Sequence, residues 1–173
     1  MGEMAELRTP DEGMIDMTHE IRIDDFDRAI LAALQKDGAM TNAALAERVN
    51  LSASQISRRR SALEEAGVIE GYSARLGAAR LGYGLRAVIR VNLRSHGPGK
   101  DEDFARFVAS HPHIRSAFSV SGDADYILDV RMTDLDAFAD FVHSALLPHP
   151  QVSQVRSEIV LKTLKDDRGL PLG

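Results

Sequence analysis

Hydrophobic side chains follow two different periods along this chain, and the change comes near residue 85. Upstream they recur at helical spacing. Phe26, Ile30, Ala33 and Leu34 share one face of a first helix, with Asp24 or Asp25 as its N-cap and Asp37-Gly38 as its stop. Leu45, Ala46 and Val49 mark a short second helix opened by Thr41 or Asn42. Asn50 follows, the non-glycine residue that best tolerates the left-handed backbone of a tight interhelical turn. Leu51 fills the corner. Ser52 and Gln55 then form the S-x-x-Q capping box of a third helix that ends at Gly67, a residue suited to a left-handed C′ position. Small Ala46 where two helices cross, Asn50 at the turn and Ile56 on the inner face give the spacing of a helix-turn-helix. The segment VIEGYSA after Gly67 predicts a short strand or hairpin, as in a winged module.

From Leu85 the period is two. Leu85, Ala87, Ile89, Val91 and Leu93 alternate with Arg86, Val88, Arg90, Asn92 and Arg94. Gly97-Pro98-Gly99 ends that strand, and Phe104, Phe107 and Val108 mark a helix closed by His111-Pro112. Ile114, Ser116, Phe118 and Val120 make a second strand, Ser121 to Ala124 a turn, and Tyr126, Leu128, Val130 and Met132 a third strand. Leu135, Phe138, Val142 and Ala145 predict another amphipathic helix, stopped by Pro148 and Pro150. Val155, Ser157, Ile159 and Leu161 supply the last strand. The order βαββαβ is a ferredoxin-like split unit. Both helices should cover one sheet face, leaving Arg86, Val88, Arg90 and Ala117 on a mixed face that suits pairing with a second subunit.

The expected class is therefore α+β, in five segments. Residues 1–22 form an acidic, mobile leader, in which Met14 and Met17 are alternative starts. Residues 23–72 form the winged helix-turn-helix, 73–84 a Gly- and Ala-rich linker, 85–165 the ferredoxin-like domain and 166–173 a tail. The net charge of −5 does not by itself point to nucleic acid, but its distribution does. Residues 1–22 carry six acids against Arg8 and Arg22, whereas 51–63 hold Arg58, Arg59, Arg60 and no acid. A local cationic stripe, not net charge, is what a DNA-binding footprint requires. An isolated Arg-Arg-Arg run reads as a solvated face; the helix-turn-helix spacing upstream gives this one a scaffold. Its arginines would neutralise phosphates or grip guanine edges while serine and glutamine reach other bases.

The chain has no cysteine, which excludes disulfides, thiolate metal sites and a cysteine nucleophile. No apolar run approaches spanning length and no secretion signal is present, so a cytoplasmic protein is expected. The six histidines, His19, His96, His111, His113, His143 and His149, lack the i,i+4 spacing of a zinc pair and read as solvated loop residues. No metal or cofactor is expected. G-x-S-x-G, G-x-G-x-x-G, Walker A and H-E-x-x-H signatures are absent.

With these elements in order, the chain resembles the Lrp/AsnC, or feast/famine, family of transcriptional regulators over residues 23–172. The resemblance rests on IDDFDRAILAALQKDGAMTNAALAERVNLSASQISRRRSALEEAGVIEGY, on SVSGDADY at 119–126 and on the closing LKTLKDDRGLPL. It implies a winged helix-turn-helix joined to an effector domain. Dimers would form through the sheets and associate into tetramers or octamers, with an amino acid bound between effector domains. Carried over by position, Ser54, Gln55, Ser57, Arg58 and Arg59 fall where the family touches DNA. Gly122, Asp123 and Asp125 fall on the effector loop, and Leu135, Glu158, Ile159 and Val160 neighbour the pocket. On residues alone, Ser121–Asp125 is ordinary turn chemistry; an amino acid, however, needs an anion for its ammonium and N–H donors for its carboxylate, and this loop offers both.

Two positions depart from the family pattern. Arg60 stands where relatives often carry Val, so its stem packs while the guanidinium reaches solvent, or it pairs with an acid on the first helix. Glu158 stands where many relatives are neutral, which favours a cationic effector or none. The expected function is a sequence-specific double-stranded DNA-binding regulator. Its dimers would read pseudo-palindromic half-sites about 34 Å apart and respond to a small effector, an amino acid. The alternative sharing this architecture is an enzyme resembling the sirohaem decarboxylases, whose helix-turn-helix has no need of a cationic reading face.

Overall fold

The structure, a computed structural model, describes residues 22–95, 97, 99–166 and 169–172; all of the leader but Arg22, and with it His19, as well as His96 and Pro98, lie outside them. The described residues divide into two compact units. One runs to Ala74 and takes in the C-terminal residues after Asp166; the other is Arg75–Asp166.

The first unit holds α1 (Asp25–Lys36), α2 (Asn42–Val49) and α3 (Ala53–Glu65). Each start is capped by the side chain that a short polar residue supplies. Asp24 accepts from the Asp27 N–H and Asp27 answers on the Asp24 N–H; Thr41 accepts from the Ala44 N–H; Ser52 and Gln55 close a reciprocal box. Asn50 has φ 59° and ψ 48°, so it makes the tight left-handed turn between α2 and α3. Ile30, Leu45, Ile56 and Leu63 are buried together around Ala46, each contributing about 2–3 kcal/mol of apolar burial.

Two expectations for this unit change. Phe26 is 44% exposed and does not join the core, whereas Leu31 does. The segment after Gly67 forms no strand among the described residues. Its Val68 and Ile69 N–H groups both donate to the Leu63 carbonyl and their side chains pack on the helical core, so its backbone caps α3 instead of laddering.

The second unit is a four-stranded antiparallel sheet in the order β2-β3-β1-β4: β1 Leu85–Leu93, β2 Ile114–Ser119, β3 Tyr126–Met132 and β4 Val152–Ile159. Helices α4 (Lys100–Ser110) and α5 (Leu135–Asp140) complete the βαββαβ order. Ala87, Ile89, Val91 and Leu93 of β1 and Leu128, Val130 and Met132 of β3 are buried with Phe104 and Phe138. α5 runs on into a π-helical turn, Phe141–Leu146, that turns Phe141 and Leu146 into the same core.

The last strand starts and ends earlier than expected, and Leu161 is exposed beyond it. Ala117 also changes face. A bulge between Ile114 and Ser116 shifts the register, so Ala117 pairs with buried Leu128 while Phe118, 57% exposed, pairs with Ile127 on the open face. That face carries Arg86, Val88, Arg90, Asn92, Ile127, Asp129, Arg131, Arg156 and Glu158. Nor are the histidines all solvated. The His149 side chain is 9% exposed with its ring 4.8 Å from Phe107, and the His111 ring lies 4.1 Å from that same ring, tilted by 42°. Ring stems of this kind fill apolar space while their nitrogens find partners.

Candidate nucleic-acid interface and effector loop

α3 presents an exposed row of Ser54, Gln55, Ser57, Arg58 and Ser61. Its three arginines have three different surroundings. Arg58 is exposed and has no partner among the described residues. Arg59 Nη1 lies 2.8 Å from Asp24 Oδ2 and 2.8 Å from Asp27 Oδ1, with its guanidinium 5.5 Å from the Phe26 ring. The N-terminal capping box of α1 is thereby the anion that receives Arg59. The Asp27 N–H first, then Arg59, hold the Asp24 carboxyl below the usual carboxylate range. Arg60 donates from Nε to Glu64 Oε1 at 3.1 Å and to Tyr72 Oη at 2.8 Å, and lies 4.5 Å over the Tyr72 ring. So Arg60 pairs with an acid on its own helix, while the first-helix acids take Arg59.

Gln55 has two tasks in the same small volume. Its Oε1 accepts from the Ser52 N–H at 3.0 Å and from Ser52 Oγ at 2.9 Å. That leaves its amide N–H groups, not its oxygen, for an outside partner.

The Ser121–Asp125 loop is tied to the end of β1. Asp125 Oδ2 accepts the Leu93 N–H at 2.7 Å, the Asp125 N–H donates to Val91 O, and Asn92 Nδ2 donates to Asp123 O at 2.8 Å. The Asp123 carboxylate is exposed and has no partner among the described residues, nor do the N–H groups of Gly122, Asp123 and Ala124. Gly122 has φ 147° with open space where a Cβ would stand.

The other pocket candidates lie elsewhere. Leu135, 57% exposed, follows β3, whose Met132 pairs with Leu85; Glu158 and Ile159 pair with Val88 and Ala87, and Val160 N donates to Arg86 O. These positions sit at the opposite end of β1 from the loop, roughly 17 Å away at strand rise. One chain therefore does not bring the two groups together. Glu158 meets Arg90 Nε at 3.2 Å, so its added negative charge has a cation across the strand. Periodicity could not have found the Arg59, Arg60 and Arg90 partners; only the D-x-x-D spacing at Asp24 and Asp27 hinted at a second acidic group at the start of α1.

No group of three or more His, Asp or Glu residues suited to a metal occurs among the described residues. No helix among them is long and apolar enough to cross a membrane.

Comparison with known proteins bears on the same two regions. Residues 86–170 match the family model described as the Lrp/AsnC ligand binding domain, and residues 23–70 match a winged helix-turn-helix DNA-binding model. The leucine-responsive regulatory protein of Rhizobium meliloti is 41% identical over 150 residues, covering 87% of this chain and 96% of that one. The Escherichia coli protein of that name is 34% identical over 148 residues, covering 86% and 90%. The transcriptional regulator from Neisseria meningitidis solved as an L-Met complex is 41% identical with a TM-score of 0.85, covering 87% and 97%. An AsnC family regulator from Agrobacterium tumefaciens gives 30% identity and a TM-score of 0.81, covering 86% and 97%. These relatives are regulators, and nothing in them supports the tetrapyrrole-enzyme alternative. The chain belongs to the Lrp/AsnC family, and it is a DNA-binding transcriptional regulator with a ligand-binding domain.

Proposed function

We propose that α3 is the reading helix and that Ser54, Gln55, Ser57 and Arg58 are the residues that touch DNA. The observation that carries this is the exposed, uncompensated Arg58 beside a row of small hydroxyl side chains. Such a row lets a helix approach base edges closely, while Arg58 takes a phosphate or a guanine. Gln55, with its oxygen held by the cap, donates only, which favours acceptor edges such as guanine O6 or N7 and thymine O4. Arg59 serves as a positioning residue: it fixes α3 to the start of α1 and so sets the angle at which the reading face is presented.

The effector is an amino acid and its site is shared between two copies of this chain. The Neisseria relative solved with L-Met supports the ligand class. The separation of the Gly122–Asp125 loop from Leu135, Glu158, Ile159 and Val160 supports the sharing, since one copy would supply the loop and its neighbour the rest. Asp123 offers the free anion for an ammonium, and the N–H groups at Gly122 to Ala124 the donors for a carboxylate. The open sheet face, with exposed Phe118 beside Ile127, is the surface through which dimers form. A cytoplasmic dimer, assembling further into tetramers or octamers, would then place two reading helices about 34 Å apart on a pseudo-palindrome. The effector acts by binding one assembly state more tightly than another.

A titration on the DNA upstream of the protein's own gene, at two salt concentrations, with and without pooled amino acids, tests this reading. Saturable binding that exceeds random DNA and shifts with the pool is expected. Binding no better than on random DNA at either salt concentration overturns it.

A further inference from the structure

The Ser121–Asp125 loop joins β2 to β3, yet its anchors lie on β1, a strand it does not connect. Two of them belong to Asp125, whose N–H donates to Val91 O at 3.1 Å and whose Oδ2 accepts the Leu93 N–H at 2.7 Å. The third is a side chain. Asn92, between those two residues of β1, donates from Nδ2 to Asp123 O at 2.8 Å. Asn92 is itself held from the other side, because it pairs with Gln154 of β4 and its carbonyl accepts the Ser153 hydroxyl at 2.9 Å.

The bond to the Asp123 carbonyl decides where the next N–H points. The peptide bonds of the described residues are trans, and in a trans peptide the C=O and the following N–H point in opposite directions. With the Asp123 oxygen on Asn92, the Ala124 N–H is turned away from that side chain. It has no acceptor among the described residues, although Ala124 is only 4% exposed. A donor left unmatched at so little exposure is rare in folded proteins. The acceptor that would satisfy it best is an anion, since a charge-assisted hydrogen bond is about twice as strong as a neutral one. The flank beside it is open: nothing lies within 4 Å of where a Gly122 Cβ would stand, and Asp123 is exposed.

We infer that Asn92 is a positioning residue for effector binding: its amide pins the Asp123 carbonyl to β1 and so aims the Ala124 N–H at the carboxylate of a bound amino acid. Asn92 acts through the loop backbone and not by touching the ligand. The inference rests on the Gly122–Asp125 loop being the effector site. An asparagine suits this position because it brings an uncharged donor to a carbonyl oxygen. Aspartate of nearly the same size would set a carboxylate against that oxygen, and alanine would leave the carbonyl without its partner. Either change frees the Asp123–Ala124 peptide to rotate, and the N–H loses its direction.

The experiment uses the full-length parent, Asn92→Ala, Asn92→Asp and Ser153→Ala. The last is a matched control that loses a hydrogen bond between the same two strands and none to the loop. The probes are the common L-amino acids, titrated singly and beginning with L-methionine. Calorimetry gives the affinity, and the amide signals of residues 122–124 in 15N-resolved NMR give the contact. For the amino acid that binds the parent, the dissociation constant should rise about five- to tenfold in both Asn92 variants and change by less than about twofold in Ser153→Ala. At saturation, where affinity no longer matters, the ligand-induced downfield shift of the Ala124 amide proton should be lost in the Asn92 variants and kept in Ser153→Ala. A merely structural role for Asn92 would lower the melting temperature and leave that shift unchanged. Parent-like affinity and shift in either Asn92 variant overturn the positioning role. A ligand that moves the Gly122 and Asp123 signals of the parent but not that of Ala124 overturns the donor. If no amino acid moves any of these signals in the parent, the effector reading of the loop falls and this inference with it.

Discussion

Arg59 of α3 donates from Nη1 to Asp27 Oδ1 of α1 at 2.8 Å, and Asp27 is only 7% exposed. The pair joins α3, the proposed reading helix, to α1. Its location at the N-terminus of α1 adds the helix dipole to the preference for carboxylates there. A cation that the sequence places in a phosphate-binding stripe is thus built into the scaffold.

Arg59→Ala should lower the stability of the first unit by about 1–2 kcal/mol, the loss of a charge-assisted hydrogen bond at a part-buried site. Denaturant melts followed by circular dichroism would measure it. DNA affinity should fall similarly on all sequences without a change in salt slope, since no phosphate contact is removed.

Arg58→Ala should do the reverse. Being exposed and unpartnered among the described residues, Arg58 contributes nothing measurable to stability, so the melt should be unchanged. If it neutralises a phosphate, the slope of log affinity against log salt should flatten by about 1. Parent-like affinity at every salt concentration would remove Arg58 from the interface.

Acid should weaken the first unit through Asp24 and Glu64. The Tyr72 hydroxyl first, and then Arg60, hold the Glu64 carboxyl below its ordinary value of 4.5; Asp24 is held below 3.8 by the Asp27 N–H and Arg59. Carboxyls depressed in the folded state stabilise fully above those ordinary values and lose that contribution as pH falls through the folded ones. Melting temperature followed from about pH 6 down to about pH 2.5 should therefore drop less steeply in a Tyr72→Phe, Asp24→Asn double variant. A parent-like slope in that variant would place the acid sensitivity in other groups.

The two loop aspartates should separate. Asp123→Ala is expected to leave melting and basal DNA binding intact while abolishing the response to the activating or inhibiting amino acid. Asp125→Ala removes the acceptor for the Leu93 N–H and should cost about 1–2 kcal/mol as well as blunting that response. Isothermal titration with the amino acid found in the DNA assay measures both. Normal ligand affinity in Asp123→Ala would move the ammonium partner to another residue.

Much of this protein was legible along the chain because its determinants are local. The caps at Asp24, Thr41 and Ser52, the left-handed Asn50 and the alternation of β1 each involve residues a few positions apart, and they fixed the helix-turn-helix and the βαββαβ order. The cationic, hydroxyl-rich face of α3 is legible in its residues, and the resemblance narrows it to particular positions; the effector positions rest on resemblance alone.

What only the tertiary structure decided concerns partners distant in sequence. The one-residue bulge at Ile114/Ser116 exchanges Ala117 for Phe118 on the open face, since every side chain beyond a register shift changes sides. The three adjacent arginines read as one charged run, yet a helix turns by about 100° per residue and sends each to a different neighbour. Arg58 remains exposed, Arg59 meets α1 and Arg60 meets Tyr72. Likewise Gln35 and Leu170 meet across 135 residues. Short-range geometry specifies which elements form; which charges stay unpaired follows from how those elements pack.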